Sequence, residues 1–468
     1  MDDKIISEFK RIVGPSYVIM STCELVPYHL LAGSRPLNKS DMAEVAVRPA
    51  TSNEVSEIIK YANKEDIKIS VRSGGTAITG HKPHKGEVIL DLSRMDMVRV
   101  NKEDGYAEVG PAVTPVELNE TLGKHGYWFP VYPACSDVVA SIAGIISVNT
   151  SGQVCDPMLG KPGDYISGLE VVLPTGEVIE TGNKSIRRAA GPDLTSLFIG
   201  GEGLFGVITK IWMRLTPKPL KEKWVLVVFQ SLHNAAKTVQ KIYYQGVYPT
   251  WMNLVDEKKV EVCSKRLGIE IPRGACLMIR TSGYMPGEAA WKLEKLIEIC
   301  KEEKASEIRM MEEAEWMRLS QLIAQGGERS ELRARDWWGG GDYIDPPLSK
   351  YVSVIDEMQE KIMAAVDSKE RIFCLDGHGP LIYWPKIYIS KKAWDGLNSE
   401  LKDELEKMQT WKDYWAAYGR CQVGFFPGYA ESWKAHYGAT SYRLLIGLKK
   451  LFDPKNVLNP TNLPEEGD

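Results

Sequence analysis

The sequence lacks several features that would point to a particular class of protein. Its 58 lysines and arginines nearly balance its 62 aspartates and glutamates, giving a net charge of -4. It therefore lacks the basic excess that is typical of nucleic-acid binding. No apolar run approaches the roughly 20 residues that a membrane span needs. The opening MDDKIISEFKRIVG lacks the apolar core of a signal peptide, so we expect a cytoplasmic protein.

Cysteine chemistry is not indicated either. The eight cysteines are scattered, and no two of them have the CxxC spacing of a zinc site or a redox dithiol. In a reducing compartment most should be free thiols. No spacing typical of an iron–sulfur cluster is present, so any such centre would lie on a partner protein.

Glycine-rich stretches are what the sequence does have. The segment SVRSGGTAITGH, residues 70–81, follows a short strand-like run and contains three glycines and two threonines. Gly74 and Gly75 can simply turn the chain, because glycine reaches positive φ at little steric cost. Backbone amides freed of side chains can also cradle a phosphate or pyrophosphate. The residues alone leave both interpretations open.

Periodicity predicts a mixed α+β chain. TSNEVSEIIKYANKEDI has a capping residue and helical apolar spacing, and hairpins are predicted around Asp104-Gly105 and Thr175-Gly176. The run LTPKPLKEK, with two prolines followed by charge, predicts a boundary before a second α+β region. A length of 468 residues suggests two or three domains or one large composite.

Four segments in order resemble one flavoprotein superfamily. They are VRSGGTAITGH, YPACSDVVASIAGIISVNTSG, SGLEVVLPTGEVIETG with LTSLFIGGEGLFGVITKIWMRLTPKP, and the terminal LFDPKNVLNP. Together they resemble the vanillyl-alcohol oxidase/p-cresol methylhydroxylase superfamily, and most of all its glycolate oxidase/D-lactate dehydrogenase branch. The resemblance implies an α+β fold with an FAD-binding domain of two α+β subdomains and an α+β substrate domain with an antiparallel sheet.

The resemblance also implies domain bounds and cofactor contacts. We expect an FAD-binding domain at 1–218, a substrate (cap) domain at 219–425, and a C-terminal segment at 426–468 that returns to the FAD domain. In the family, the first loop wraps the FAD pyrophosphate, where a Cβ would hold the backbone away. Glu202 as a surface cap and Asn459 as a turn residue before Pro460 are the alternatives without a ligand. The residues that the resemblance assigns to FAD are Arg72, Ser73, Gly74, Gly75, Thr76, Ala77, Gly80, His81, Pro133, Ala134, Cys135, Ser136, Ala143, Gly144, Gly201, Glu202, Gly203, Gly206, Val207, Ile208 and Asn459.

The sequence departs from its relatives at the point of flavin attachment. Relatives with covalent flavin often have histidine directly after Arg-Ser-Gly-Gly, where this chain has Thr76. His81 lies five residues further on, and the surroundings of Cys155 match poorly the segment in which some relatives attach flavin through sulfur. We therefore expect FAD to be bound without a covalent link.

A second departure concerns the catalytic segments. Relatives that oxidise 2-hydroxy acids usually carry a histidine-rich segment and a Glu-His-Gly segment that bind a divalent ion. The matching places here read CLDGHGPLIYWP and GRCQVGFFPG, whose one histidine is His378. Since a zinc site needs three or four ligands, we expect no metal. The candidate catalytic residues are His378, Tyr418 and Arg420, with Arg335 as a carboxylate clamp or, alternatively, a surface ion-pair partner.

These departures lead to one functional expectation and two alternatives. We expect an FAD-dependent oxidoreductase that transfers a hydride to flavin N5, without a metal, from a small hydroxylated substrate of aromatic or hydrophobic character. The alternatives are a 2-hydroxy acid dehydrogenase of the glycolate or D-lactate type, and an electron-transfer subunit that keeps FAD but no longer catalyses. An electron-transferring flavoprotein, an iron–sulfur protein, a quinone or oxygen could accept the electrons, and a homodimer is left open.

Overall fold

The computed structural model describes residues 1–29, 42–76, 83–131, 138–150, 159–185, 191–324, 337–340, 348–365, 371–377, 383–400, 402, 437–460 and 463. The chain forms two compact units. The first unit comprises 1–150, 161–218 and 424–468, and the second comprises 151–160 and 219–423. The domain bounds expected from the sequence, with an FAD-binding domain ending at 218 and a substrate domain ending at 425, stay a prediction.

The first unit contains two main sheets. Its helices are α1 (Asp3–Val13), α2 (Thr22–Leu25), α3 (Ser52–Lys64), α4 (Pro115–Gly123), α5 (Ile142–Val148), α6 (Thr195–Phe198) and α13 (Ala439–Phe452). Its strands are β1 (Val18–Ile19), β2 (Val45–Val47), β3 (Ile69–Arg72), β4 (Val88–Asp91), β5 (Val98–Asn101), β6 (Tyr106–Val109), β7 (Tyr127–Trp128), β8 (Ile166–Val172), β9 (Val178–Gly182), β10 (Val207–Arg214) and β11 (Thr216–Pro217).

The smaller main sheet has the strand order β1-β2-β4-β3, and β2, β4 and β3 are parallel. Helix α3 begins after Thr51, whose hydroxyl accepts from the Glu54 amide at 3.2 Å, as its sequence predicted. The free edge of β3 is paired by the C-terminal segment, through a parallel bridge between Ile69 and Leu458. Leu458 is fully buried in the core of this sheet.

The second sheet is antiparallel with the order β5-β6-β10-β8-β9. The predicted hairpins are confirmed: β5 pairs with β6 around Gly105, and β8 pairs with β9 around Gly176. Both glycines have positive φ, 74° and 84°, which favours glycine at these turns. The core of this sheet includes Tyr442 from α13, so the C-terminal region packs on both sheets of the unit.

The second unit is built on a seven-stranded antiparallel sheet with the order β15-β12-β14-β13-β17-β18-β16. Its strands are β12 (Lys221–Phe229), β13 (Trp251–Val255), β14 (Ala275–Gly283), β15 (Glu307–Met311), β16 (Trp337–Gly340), β17 (Arg371–Gly377) and β18 (Tyr383–Ser390). Its helices are α7 (Leu232–Gln245), α8 (Glu257–Leu267), α9 (Glu288–Glu302), α10 (Glu313–Ala324), α11 (Tyr351–Ala365) and α12 (Lys391–Gly396). Alternate residues of β12 and β14, such as Val227 and Leu277, pack against α7 and α9, as period-two burial requires. In the described part of the chain, no helix has the length and apolar character to cross a membrane.

Candidate functional site

The predicted site residues divide into those that the structure describes and those that it does not. Those outside the described residues are Ala77, Gly80, His81, Pro133, Ala134, Cys135, Ser136, Arg335, His378, Tyr418 and Arg420, together with Cys155. The roles assigned to them stay predictions. The remaining candidates all belong to the first unit, and they lie on three loops and the C-terminal segment.

The first loop leaves the end of β3 and packs against the start of α5. The hydroxyls of Ser73 and Ser141 lie 2.5 Å apart, and the Gly74 amide donates to the Ser141 hydroxyl at 3.0 Å. A Cβ on Gly74 would lie 2.5 Å from the carbonyl oxygen of Val139 and 2.7 Å from the Ser141 nitrogen. Gly74 is therefore required because two backbone segments approach too closely for any side chain.

Gly75 has a different constraint. Its φ is +64°, and a Cβ would lie 2.3 Å from the guanidinium carbon of Arg72. The arginine side chain therefore folds back across the glycine. The resemblance explains this glycine by a close approach of its backbone to the FAD pyrophosphate. Within the chain itself, the side chain that would clash first with a Cβ at this position is that of Arg72.

Arg72 is held in a polar cluster at the end of the sheet. Its guanidinium donates to the Tyr28 carbonyl at 2.7 Å and lies 5.3 Å from the centre of the Tyr28 ring. Burial lowers the pKa of Arg72, and nearby Asp91 opposes that effect. The Tyr28 hydroxyl donates to Asp91 at 2.6 Å, and Asp91 also pairs with Arg48 at 3.3 Å. The cluster fixes the arginine that precedes the first loop.

The second loop leads into α5, where small residues keep the backbone close to the first loop. Ser141 caps the helix by accepting from the Gly144 amide at 3.3 Å. A Cβ on Gly144 would lie 3.1 Å from the Ser141 hydroxyl and 3.5 Å from that of Ser73. Ala143 is buried. The two loops thus share one contact surface of serines and glycines.

The third loop, residues 201–206, approaches the other end of α5. The Glu202 amide donates to the Ser147 carbonyl at 2.9 Å, and Glu202 and Gly203 both have positive φ, 47° and 73°. Burial raises the pKa of the Glu202 carboxyl to about 8. Gly206 leads into β10, where Val207 pairs with Val172 of β8 and Ile208 follows. A Cβ on Gly206 would lie 2.5 Å from the Val171 side chain.

Asn459 joins the first and third loops. Its side-chain oxygen accepts from the Val71 amide at 2.9 Å, and its side-chain nitrogen donates to the carbonyls of Glu202 and Gly203 at 3.3 and 3.4 Å. Its backbone amide donates to the Ile69 carbonyl at 2.8 Å. The side chain is 4% exposed, so every polar atom of the amide is directed at protein groups.

A buried ion pair holds the turn that carries Asn459. The Lys449 ammonium contacts the Asp453 carboxylate at 2.6 Å and donates to the carbonyls of Leu204 and Leu458 at 3.0 and 2.8 Å. Asp453 accepts in turn from the amides of Val457 and Leu458 at 2.7 and 2.8 Å. Burial lowers the pKa of Lys449, while Asp453 opposes that effect. The turn that ends in Asn459 is thus fixed to α13 and to the third loop.

Several of these residues were not identified from sequence. Ser141 had a usable signal, because a serine before an apolar helical run is a typical N-cap. Lys449 and Asp453 are four residues apart, as in many surface pairs, so the sequence did not show that they are buried. Tyr28 and Asp91 are 63 residues apart, and no local pattern connects them.

The second unit contains a buried amide on β13. Asn253 is 1% exposed, and within the described part of the chain neither its oxygen nor its nitrogen has a hydrogen-bond partner. On the same face of β13, Trp251 packs edge-to-face on Trp316 of α10, with ring centres 4.5 Å apart. No group of three or more potential metal ligands occurs among the residues that the structure places.

Two family models match the chain. A model described as an FAD binding domain matches residues 43–182, and a model described as the C-terminal domain of FAD linked oxidases matches 218–378 and 428–463. The first two loops and Asn459 lie within these ranges, whereas the third loop, residues 201–206, lies in the stretch between the two models.

Known proteins are similar over different lengths. The chain is 30% identical over 273 residues to glycolate oxidase subunit GlcD of Bacillus subtilis, covering 57% of this chain and 57% of that protein. It is 26% identical over 437 residues to the mitochondrial D-lactate dehydrogenase [cytochrome] of Arabidopsis thaliana, covering 90% of this chain and 74% of that protein. The match therefore spans little more than half of the length of GlcD. A solved structure of p-cresol methylhydroxylase has a TM-score of 0.75 at 18% identity, covering 100% of this chain and 97% of that one, a likeness of fold.

Proposed function

The chain belongs to the family of FAD-linked oxidases with an FAD-binding domain of the p-cresol methylhydroxylase type, and from this premise we propose that it is a dehydrogenase of 2-hydroxy acids. The substrate class is a small acid with a hydroxyl on the carbon next to the carboxylate, as in glycolate or D-lactate. The observation that carries the proposal is the similarity to a D-lactate dehydrogenase over 90% of this chain. The similarity to a glycolate oxidase subunit supports the same class.

The first unit has the features that an FAD site needs. Three loops of small residues meet around α5. At Gly74 a Cβ would meet backbone atoms of the second loop, and at Gly144 it would meet the side-chain hydroxyl of Ser141. Such loops present backbone amides to a pyrophosphate. FAD, when bound, accepts the hydride of the substrate carbon at its flavin ring. The residues of this chain hold and orient it, and the predicted groups His378, Tyr418, Arg420 and Arg335 would bind the acid and take its hydroxyl proton.

This proposal replaces the aromatic or hydrophobic substrate that the sequence first suggested. That expectation depended on the aromatic residues of CLDGHGPLIYWP and GRCQVGFFPG, the segments that stand where relatives carry metal ligands. All of GRCQVGFFPG and residues 378–382 of the first segment lie outside the described residues. The fold of p-cresol methylhydroxylase is shared at only 18% identity, so it supports the architecture without indicating a substrate. The relatives with higher identity favour the 2-hydroxy acid.

Anaerobic reduction of the bound flavin tests the substrate class. The purified flavoprotein is mixed without oxygen with D-lactate, L-lactate, glycolate, vanillyl alcohol or 4-ethylphenol. The flavin absorbance at about 450 nm is then followed, because this band bleaches when the flavin takes up two electrons. We expect rapid bleaching with at least one hydroxy acid and none with the phenols. Bleaching by the phenols alone would return the aromatic substrate to first place. Bleaching by dithionite but by none of the organic compounds would favour the electron-transfer subunit.

The same assay tests metal dependence. We propose that flavin reduction needs no divalent ion, because the matching segments offer His378 where relatives carry several ligands and a zinc site needs three or four. Treatment with EDTA should leave the bleaching rate unchanged. A rate that falls after EDTA and returns with zinc or manganese would contradict this part of the proposal alone.

We also propose that FAD is held without a covalent bond. The residue after Gly75 is Thr76, whose hydroxyl does not attach flavin as the histidine of covalent relatives does. Acid precipitation should leave the yellow colour in the supernatant. A yellow pellet with a colourless supernatant would contradict the proposal.

A further inference from the structure

The amide of Asn459 connects two loops that are distant in sequence. One side of the amide accepts from Val71, two residues before the Ser73 of the first loop, and the other side donates to Glu202 and Gly203 of the third loop. The contacts join residues that are 388 and 257 positions apart. In the described part of the chain, this amide is where β3, the third loop and the C-terminal segment meet.

We propose that Asn459 is a positioning residue that presets the spacing of the two FAD loops, rather than a ligand of the flavin. Its side chain is 4% exposed, and its oxygen and nitrogen are already engaged with the backbone of the chain. An amide occupied in this way has both of its N–H groups directed at the chain, and only one lone pair of its oxygen is not engaged by Val71. The amide fixes the distance between the end of β3 and the Glu202–Gly203 turn already in the FAD-free protein.

Two further observations support this assignment. A Cβ on Gly203 would lie 2.5 Å from the Asn459 side-chain nitrogen, so the third loop leaves room for this amide. The backbone of Asn459 has a φ of +44°, a conformation that non-glycine residues rarely adopt. Asparagine tolerates it better than most residues, and the buried Lys449–Asp453 pair holds the turn in which it occurs. The turn thus keeps a less favourable backbone whose effect is to direct the amide between the loops.

The proposal concerns FAD binding and does not depend on the substrate class. A site that is ordered before binding avoids the free-energy cost of ordering its loops when the cofactor binds. Asn459→Gly tests it, because glycine keeps the left-handed backbone and removes only the amide. Asn456→Gly is the matched control: Asn456 also has positive φ, 49°, but its amide donates to the Pro460 carbonyl at 3.0 Å, within the C-terminal turn itself.

The experiment titrates the FAD-free full-length protein with FAD and follows the quenching of flavin fluorescence. We expect Asn459→Gly to weaken FAD binding at least tenfold, about 1.4 kcal/mol, and Asn456→Gly to leave it within twofold of the wild type. Thermal unfolding of the same FAD-free samples gives the stability loss separately. An unchanged dissociation constant for Asn459→Gly, or an equal weakening by Asn456→Gly, would overturn the proposal.

Asn459→Asp tests the same role if the glycine variant fails to fold. Aspartate has nearly the same shape as asparagine, so it keeps the packing of the side chain. An ionised carboxylate still accepts from Val71 but repels the two carbonyls, whereas the protonated acid can donate to one of them. Burial and the two facing carbonyls disfavour the ionised form and raise the pKa of such a carboxyl. We therefore expect weak FAD binding at pH 8 that recovers towards the wild-type value at pH 5. The wild type, measured in parallel, corrects for the titration of nearby Glu202. A deficit that is the same at both pH values, or no deficit at all, would contradict the positioning role.

Discussion

The buried Lys449–Asp453 pair allows a quantitative test of how the C-terminal turn is held. Lys449→Met keeps the length of the side chain and removes the ammonium. Asp453, 2% exposed, loses its cation, and the carbonyls of Leu204 and Leu458 lose their donor. Removing one partner of a buried pair costs about 3–5 kcal/mol. Since two backbone amides still bind Asp453, we expect a loss near the lower end, about 3 kcal/mol.

Calorimetry of the FAD-free chain measures this loss. For a unit of this size each kcal/mol corresponds to about 2–4 °C in Tm, so the transition of the first unit should fall by roughly 6–12 °C. Lys450→Met is the control, because Lys450 is exposed on the same helix and surface substitutions usually change stability by less than about 0.5 kcal/mol.

A second variant separates the charge from the packing. In Lys449→Met with Asp453→Asn, no ionised group is left without its partner, so the double variant should be more stable than Lys449→Met alone. If Lys449→Met unfolds at the same temperature as Lys450→Met, the buried pair does not stabilise the turn. If the double variant gains nothing over the single one, the cost arises from packing and the electrostatic argument is wrong.

Three further predictions follow from single positions. Gly74→Ala should reduce FAD content strongly, because its Cβ would meet the Val139 carbonyl. Gly123→Ala, with nothing within 4 Å of its Cβ, should keep full FAD content. Equal FAD content in the two variants would contradict the close approach of the first and second loops at Gly74. The FAD-free protein should lose stability relative to Glu202→Gln as pH rises from about 5 to 8. The folded-state pKa of Glu202 is raised to about 8, so in this range the folded state binds more protons than the unfolded one. A difference in Tm between the two proteins that stays the same at every pH would refute this. Asn253→Leu should raise Tm because it removes a buried amide that has no hydrogen-bond partner among the described residues. A lowered Tm would show that the amide is satisfied in solution.

The sequence predicted best what local patterns determine. The cap at Thr51, the hairpins at Gly105 and Gly176, and the α+β alternation depend on residues a few positions apart, and the structure confirms them. The four-segment resemblance predicted the fold class and the FAD domain, because each segment carries a recognisable local pattern of residues and the four occur in the family's order.

Contacts between distant segments could not be predicted in the same way. Nothing in the spacing of Ser73 and Ser141 shows that their hydroxyls meet, and nothing near Asn459 shows that its amide binds Val71. Periodicity reports which face of one element is apolar, but it does not report which other element covers that face. For the same reason the sequence offered a turn or a phosphate as the explanation of Gly75, whose φ is +64°, but it did not show that the Arg72 guanidinium lies against this glycine.

The pairing of β3 with the C-terminal segment also bears on how the protein is made. The Val71 amide and its Asn459 acceptor are 388 residues apart, so a ribosome adding about 5–20 residues per second separates them by roughly 20–80 s. During that interval the edge of β3 has been synthesised without its partner, and an unpaired strand edge is a site of mispairing between chains. Completion of the β3 edge therefore waits for the far end of the polypeptide, and we expect slower translation to lengthen the interval in which nascent chains can mispair at this edge.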